Sequence, residues 1–240
     1  MSRFLSALVN SLVPSRCSLC SGATGREIAL CLACEGELPW LVHCCRQCAL
    51  PLPPGGTYCG QCLQTPPPLD RTVAACAYMP PISGWVQAGK DKGDMASLML
   101  LAALLSRAVA ATIDEPQLLV PVPLHWRRQW RRGFNQAAVL ARHLHKHPRL
   151  AALGLARPVP LARRILATPP QRGLDAAARR RNLKQVFAVD ANVGGKHVVL
   201  VDDVMTTGAT LNALAAALKA AGAHRVSAWC CARTLPPSQR

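Results

Sequence analysis

The pattern of hydrophobic positions changes character near residue 70. Beyond it, short runs rich in Val, Leu and Ala alternate with longer segments in which apolar residues recur every three or four positions. The short runs predict buried strands, and the longer segments predict amphipathic helices. Strands are predicted at residues 72–79, 118–122, 196–201 and 225–230, and helices at residues 94–111, 134–147 and 209–221. Strands separated by helices indicate a mostly parallel sheet flanked by helices, so the predicted fold class is α/β, with ligands at the carboxyl ends of the strands.

The N-terminal part of the chain follows a different pattern. Residues 1–13 place apolar side chains on one helical face, which we expect to pack on the rest of the protein. Residues 17–62 contain too few large apolar residues for a core and require another source of stability. Pro66, Pro67 and Pro68 then form a stiff linker. The sequence therefore predicts two domains, residues 1–66 and residues 67–240.

The cysteines indicate what stabilises the first of these domains. Eight of the 12 cysteines form four Cys-x2-Cys pairs, and the second two pairs repeat the first two at a displacement of 28 residues. Two such pairs supply four thiolates to one tetrahedral Zn²⁺ with no open coordination position, so the metal is structural. Redox dithiols or disulfides are the alternative, and the eight ligands allow sequential or cross-braced pairing. The predicted metal ligands are Cys17, Cys20, Cys31, Cys34, Cys45, Cys48, Cys59 and Cys62.

Charge and hydrophobicity narrow the class of protein. Half of the residues are hydrophobic, which excludes global disorder, and 28 Lys and Arg against 12 Asp and Glu give a formal net charge of +16. Such an excess favours acidic partners such as phosphates or nucleic acid. No apolar run reaches the length of a membrane span and no signal peptide is recognisable, so we expect a cytoplasmic protein.

The sharpest chemical motif lies at residues 198–210. An apolar strand runs into Asp202 and Asp203, then a turn of Thr and Gly, then a helix. Backbone N–H groups of such a turn and the helix N-terminus converge on an anion. The two carboxylates would repel a phosphate, so they suit hydroxyl groups or a hydrated Mg²⁺. An ordinary strand, turn and helix with Asp and Thr as caps is the alternative; no Gly-Lys-Ser/Thr is present, so this is not a Walker loop.

This segment closely resembles the phosphoribosyl-pyrophosphate signature of type I phosphoribosyltransferases. The resemblance implies that Asp202 and Asp203 are the catalytic pair that holds the ribose 2′- and 3′-hydroxyls. It also implies that the following residues wrap the 5′-phosphate: Val204, Met205, Thr206, Thr207, Gly208, Ala209 and Thr210. The cofactor implied for this ligand is Mg²⁺.

Most of the net charge lies in one stretch of the chain. Between His125 and Lys184 there are fifteen Lys or Arg residues and one acid. Arginines alternate with Trp126, Trp130 and Phe134, a composition that suits single-stranded nucleic acid, where bases stack on aromatic rings and Arg contacts phosphates. The alternative is a solvated basic face with the aromatic rings in the core.

The whole pattern resembles the ComF family, the zinc-ribbon, phosphoribosyltransferase-like proteins of bacterial DNA uptake. Besides the cysteine pairs and the loop after Asp202, the resemblance rests on Pro121-Val122-Pro123, Arg132-Gly133-Phe134-Asn135-Gln136, Thr168-x-x-Gln171-x-x-Leu174, Arg179-x-x-Asn182 and Phe187. It implies a double zinc ribbon with two structural zinc sites before a transferase domain, and a mobile loop at residues 168–182. One departure is visible, because Asp91 follows Lys90 where relatives tend to place an aromatic residue.

The resemblance implies two compatible functions. The first is an active or former phosphoribosyltransferase, in which the diphosphate of the ligand would be held by Arg131, Arg132, Arg179 and Arg181. The sequence does not identify the acceptor substrate. Such an enzyme would act either in DNA uptake or in nucleotide metabolism. The second is a single-stranded DNA-handling factor of natural transformation, with a ligand-sensing pocket and partners such as a helicase. A transcriptional regulator is a weaker reading, because no recognition helix is apparent.

Overall fold

The computed structural model describes residues 16–26, 28–112, 116–152, 155, 157–165, 186–189 and 192–239. The described residues up to Pro39 belong to one compact unit and those from Trp40 onward to a second. The helix predicted in residues 1–13 lies outside the described residues. The domain boundary at residue 66 stays a prediction.

The secondary structure of the described residues comprises short helices near the cysteines and a series of strands and helices beyond them. The helices are α1 (Leu32–Gly36), α2 (Gly60–Gln64), α3 (Ile82–Asp91), α4 (Met95–Ala110), α5 (Trp126–Arg132), α6 (Gln136–Lys146), α7 (Pro148–Ala151) and α8 (Ala209–Ala220). The strands are β1 (Arg71–Ala77), β2 (Leu118–Pro121), β3 (Ala162–Arg164), β4 (Phe187–Val189), β5 (His197–Met205) and β6 (Arg225–Arg233). None of the helices in these ranges is long and apolar enough to span a bilayer.

The core of the second unit is a parallel sheet of four strands in the order β1-β6-β5-β2. Strands β3 and β4 pair with each other in a separate antiparallel ribbon. Residues 198–201 of β5 are fully buried, as expected for a central parallel strand covered on both faces. The predicted α/β fold class, with a parallel sheet flanked by helices and a Cys-rich N-terminal region, is confirmed.

The central strands are longer than predicted, and this difference shapes the site. Pairing between β2 and β5 ends at Pro121 and Val201, whereas pairing between β5 and β6 continues to Met205 and Arg233. Strand β5 therefore extends four residues beyond its last partner in β2. The two aspartates of the motif lie in this extension, next to a crevice where the neighbouring strand has already ended.

The other five predicted elements agree with the structure to within two residues at each end. For α4 the reason is the cap, because the Asp94 carboxylate accepts hydrogen bonds from the N–H groups of Ala96 and Ser97. Helix α3 was not predicted because Gly84 and Gly89 are weak helix formers. Gly89 has a packing reason, since a Cβ there would lie 2.7 Å from the Leu98 side chain.

Helix α5 was also not predicted, because its two tryptophans and four arginines hide any apolar stripe. Its N-cap is His125, whose Nδ1 accepts a hydrogen bond from the Arg127 N–H at 3.3 Å. It ends at Gly133, which has a left-handed φ of 75°.

Candidate functional site

The eight paired cysteines form two clusters of four sulfur atoms. Within each cluster the sulfurs lie within 4.8 Å of one another, and the clusters are Cys17, Cys20, Cys31 and Cys34, and Cys45, Cys48, Cys59 and Cys62. The sulfurs of Cys20 and Cys31 are 3.8 Å apart, and those of Cys48 and Cys59 are 3.6 Å apart. A tetrahedral Zn²⁺ with Zn–S bonds of about 2.3 Å requires an S···S distance of about 3.8 Å. The donor sets therefore fit zinc, with sequential pairing and not the cross-braced alternative.

The duplication extends from the cysteines to the backbone. Helices α1 and α2 are displaced by the same 28 residues as the cysteines. In the first copy the Cys17 N–H donates to the Gly22 carbonyl at 2.8 Å, and in the second the Cys45 N–H donates to the Leu50 carbonyl at 2.8 Å. Ser21 and Ala49 occupy equivalent positions, and both have a positive φ. The two copies therefore have the same metal-binding turn.

The two aspartates at the end of β5 have different surroundings. Asp203 is 7% exposed, and its Oδ1 lies 3.0 Å from the Nζ of Lys90 in the last turn of α3. The Asp202 Oδ1 accepts the backbone N–H of Asp203 at 3.0 Å. Burial and the neighbouring Asp203 charge raise the pKa of Asp202 to about 8, against the opposing effect of Lys90 and Arg164. Protonation of Asp202 is therefore favoured relative to that of an isolated carboxylate.

A cavity of about 180 Å³ lies directly over this pair. We call it the carboxylate cavity; the lining residues that the argument uses are Lys90, Arg132, Gln136, Arg164, Asp202, Asp203 and Thr210. Gln136 is 2% exposed, and its Oε1 accepts from Arg132 at 3.4 Å. Its Nε2 has no hydrogen-bond partner among the described residues. A buried amide donor of this kind is costly unless a ligand or water accepts from it.

The turn after β5 has the geometry of an anion-binding loop. Strand β5 includes Val204 and Met205, and the turn proper is Thr206, Thr207 and Gly208, followed by the half-buried Ala209 and Thr210 in α8. Gly208 has a left-handed φ of 79°, which strains residues with a side chain, and a Cβ there would lie 2.5 Å from the Met205 side chain, so the position favours glycine. Within the described ranges no intrachain partner is recorded for the N–H groups of Thr206 and Thr207. These donors and the N-terminus of α8 can bind a phosphate.

The side chains of this motif do not share one direction. Met205 is buried in the core, so only its backbone is available to a ligand. Thr206 and Thr207 are exposed, and the Thr207 hydroxyl accepts the Ala209 N–H at 3.3 Å.

The predicted arginines fall into three groups. Arg132 lines the carboxylate cavity and also a second cavity of about 390 Å³, whereas Arg131 lines only the second. We call this second space the basic cavity; its charged residues are Lys90, Asp91, Lys92, Arg131 and Arg132. Arg179 and Arg181 lie outside the described residues, as do residues 168–182 of the predicted mobile loop.

Three residues that line the carboxylate cavity were not predicted as site residues. The sequence assigns no role to Lys90, because Asp91 departs from the family pattern, and the structure nevertheless pairs Lys90 with Asp203. Gln136 belongs to a family motif, but no local pattern in the sequence distinguishes it from an exposed residue at the start of a helix. Arg164 lies on the three-residue strand β3, which is too short to give a pattern.

The tryptophans of α5 are on the surface. Trp126 is 63% exposed and Trp130 is 86% exposed, so the alternative that places the aromatic rings in the core is wrong for both. The guanidinium of Arg127 lies 5.2 Å from the centre of the Trp126 ring. Arg131 is exposed on the same helix. We call Trp126, Arg127, Trp130 and Arg131 the α5 surface.

Comparison with known proteins matches two families along the chain. The family described as "Double zinc ribbon domain" matches residues 8–63, and that described as "Phosphoribosyl transferase domain" matches residues 131–235. Among solved structures, "Structure of the allosteric regulatory enzyme of purine biosynthesis" aligns with 56% of this chain and 26% of its own, with 18% identity and a TM-score of 0.37, which is a distant likeness.

Curated relatives match most of their own length. "DNA utilization protein YhgH" of Salmonella typhimurium is 38% identical over 164 residues, which are 66% of this chain and 70% of that protein. The protein of the same name in Escherichia coli K12 is 38% identical over 166 residues, with the same two coverages. "Competence protein F" of Haemophilus influenzae is 35% identical over 65% of this chain and 69% of its own. The chain therefore belongs to the ComF family, in which a double zinc ribbon is combined with a phosphoribosyltransferase domain.

Proposed function

We propose that the carboxylate cavity binds phosphoribosyl pyrophosphate. The observation that carries the proposal is a cavity lined by paired carboxylates and by cations, at the point where β5 runs into a turn whose Thr206 and Thr207 N–H groups have no backbone partner among the described residues. The carboxylates suit the two ribose hydroxyls, since charged acceptors form strong hydrogen bonds to O–H donors. The turn of Thr206, Thr207 and Gly208 suits the 5′-phosphate.

The cationic wall suits the diphosphate. Lys90, Arg132 and Arg164 line the same cavity as the aspartates, so a ligand that places hydroxyls on the carboxylates places its anomeric substituent within reach of cations. Mg²⁺ retains much of its water and binds chiefly through phosphates in nucleotide sites, so it would enter with the diphosphate and need few protein ligands.

We further propose that the α5 surface binds single-stranded DNA. Two exposed tryptophans one helical turn apart provide stacking platforms, and Arg127 and Arg131 supply charges for phosphates. The basic cavity continues this charge toward the carboxylate cavity, because Lys90 and Arg132 line both. A strand lying on α5 would therefore meet the ligand pocket from one side.

Together these features support a role in the handling of imported DNA. The names of the relatives, "DNA utilization protein YhgH" and "Competence protein F", point to this process. In such a role the pocket senses or uses phosphoribosyl pyrophosphate while the α5 surface holds the strand. Partners such as a helicase, and a cytoplasmic location, are part of the same proposal.

A reciprocal pair of variants tests the two sites. Asp202→Asn with Asp203→Asn removes both carboxyl groups, and the loss of their hydrogen bonds to the ribose hydroxyls predicts at least about 100-fold weaker binding of phosphoribosyl pyrophosphate. Calorimetry measures this affinity, and oligonucleotide anisotropy should change less than about twofold. Glu37→Gln, which removes an exposed carboxylate of the first unit, is the control. Equal loss of both ligands in the aspartate variant would contradict separable sites.

The reverse result is expected for the α5 surface. Trp126→Ala with Trp130→Ala should weaken oligonucleotide binding at least about tenfold, because stacking contributes about 1–3 kcal/mol per base. The double variant should leave the salt dependence of oligonucleotide binding unchanged. Arg127→Gln should reduce the slope of log affinity against log salt concentration by about 0.7, for one lost phosphate contact. Unaltered DNA affinity in both variants would refute this surface. Release of pyrophosphate is assayed in the same samples with an oligonucleotide present. Release indicates a transferase, and binding without release indicates a binding module.

A further inference from the structure

One buried arginine contacts both the second cysteine cluster and the anion-binding turn. Arg233, the last residue of β6, is 6% exposed. Its Nε donates to the carbonyl of Cys48 at 2.7 Å. Its Nη1 donates to the carbonyls of Met205 at 3.1 Å and Thr234 at 2.8 Å, and also to that of Thr206. One rigid guanidinium thus joins a metal ligand's backbone to the turn.

The contact with the turn sets the direction of its donors. In a trans peptide the C=O and the following N–H point in opposite directions. Because Arg233 binds the carbonyls of Met205 and Thr206, the N–H groups of Thr206 and Thr207 point away from Arg233. These N–H groups are the donors that the turn offers to an anion. Arg233 therefore orients the N–H groups that a ligand would bind, without itself binding the ligand.

The hydrogen bond from Arg233 to Cys48 is one of three that join the sheet to residues 46–48, in the second cysteine cluster. The carbonyls of three successive residues each accept a hydrogen bond from the sheet: Arg46 from the Thr72 N–H at 2.8 Å, Gln47 from the Thr72 hydroxyl at 2.7 Å, and Cys48 from Arg233. The sulfur of Cys48 belongs to the second cluster, so a Zn²⁺ bound by that cluster would hold this carbonyl in place.

The burial of Arg233 makes the arrangement sensitive to loss of that carbonyl. Among the described residues, no carboxylate forms an ion pair with Arg233, and its charge is met by carbonyl oxygens. When a buried cation loses one hydrogen-bond acceptor, the free energy of its desolvation is no longer offset, which favours reorientation of the side chain toward water. Reorientation of Arg233 would release Met205 and Thr206.

We infer that Arg233 is a positioning residue through which the metal in the second cluster holds the anion-binding turn in its binding conformation. The effect on phosphoribosyl pyrophosphate rests on the proposed function, whereas the effect on the turn does not. The inference concerns the second cluster, which belongs to the same compact unit as the turn.

The repeat itself supplies the matched variants for a test. Cys62→Ser and Cys34→Ser change equivalent ligands of the two clusters, and each should reduce the zinc content of the full chain from two to one. Hydrogen exchange in the ligand-free protein reports on the turn through two amides, those of Thr234 and Asn212, which donate to the Met205 and Gly208 carbonyls. We expect at least tenfold faster exchange of these amides in Cys62→Ser and less than twofold change in Cys34→Ser.

A second set of variants removes the arginine and keeps the metal. Arg233→Met should retain two zinc ions, accelerate exchange of the same amides and weaken the binding of phosphoribosyl pyrophosphate at least tenfold. Arg233→Lys should restore part of the exchange protection and part of the affinity. Equal effects of the two cysteine variants, or normal exchange in Arg233→Met, would overturn the inference. If the wild-type protein does not bind phosphoribosyl pyrophosphate, the proposed function fails and the exchange data alone decide the role of Arg233.

Discussion

The two zinc clusters share a sequence pattern and differ in what they are built into. Both copies have the same cysteine spacing, the same turn and a five-residue helix after the third cysteine. The equivalent N–H groups of Ser18 and Arg46 donate to equivalent carbonyls, at 3.0 and 2.9 Å. The first copy nevertheless belongs to a compact unit that ends at Pro39, whereas the second belongs to the unit that contains the sheet.

Residues outside the repeated pattern explain the difference. In the first copy Arg26 forms an ion pair with the buried Glu35 and donates to the Leu30 carbonyl at 3.1 Å. The equivalent positions in the second copy are Pro54 and Leu63, which cannot form that pair. The second copy is instead held by the sheet at three successive carbonyls. Duplication thus preserves the metal site, while flanking residues decide which part of the molecule the metal stabilises.

The largest expected effect is the loss of one metal. Structural zinc contributes about 10–16 kcal/mol to the folding of small domains, so Cys62→Ser and Cys34→Ser should both lose one zinc ion. Only Cys62→Ser should lower the main calorimetric transition of the sheet, by several degrees or more, because its cluster anchors β1 and β6. Identical melting curves for the two variants would remove the distinction between the copies.

A smaller effect, confined to the first copy, is expected for Arg26→Met. The substitution removes the guanidinium from a carboxylate that is 3% exposed, which should destabilise this copy by about 2 kcal/mol. Titration with a chelator should then release one zinc ion earlier than in the wild type and the other unchanged. Earlier release of both ions would show that the copies are not independent.

For the second copy the corresponding change is Thr72→Val. The valine keeps the shape of a side chain that is 6% exposed but removes the hydroxyl that donates to the Gln47 carbonyl at 2.7 Å. We expect a loss of about 1–2 kcal/mol, measured by denaturant unfolding of the sheet. The chelator titration should leave the first zinc ion unaffected. A wild-type free energy of unfolding would mean that this hydrogen bond does not couple the ribbon to the sheet.

The smallest effect is expected for a cysteine outside both clusters. Cys76 is fully buried in β1, and burial raises the pKa of its thiol to about 12, so it remains a protonated, apolar side chain at neutral pH. Cys76→Ala should cost about 1 kcal/mol and leave two zinc ions per chain. Loss of a metal ion in this variant would show that the clusters have been assigned to the wrong cysteines.

The sequence predicted those parts of the molecule that are encoded locally. Cysteine spacing identified two donor sets, and the run from β5 through Gly208 identified the paired carboxylates and the turn. Contacts between distant segments could not be predicted in this way. Lys90 meets Asp203 across 113 positions, and Arg233 meets Cys48 across 185, through packing that no local pattern records. The exposure of Trp130 likewise depends on which residues of α5 the rest of the protein covers, and a seven-residue helix is too short to show this by periodicity.

The most direct test of the account is a calorimetric titration of the zinc-loaded protein with phosphoribosyl pyrophosphate and Mg²⁺, with and without a saturating single-stranded oligonucleotide. The account predicts saturable binding of one ligand per chain in both titrations, because the carboxylate cavity and the α5 surface use different side chains. Absence of binding, or its complete loss when the oligonucleotide is present, would contradict a phosphoribosyl-pyrophosphate pocket that is separate from the DNA surface.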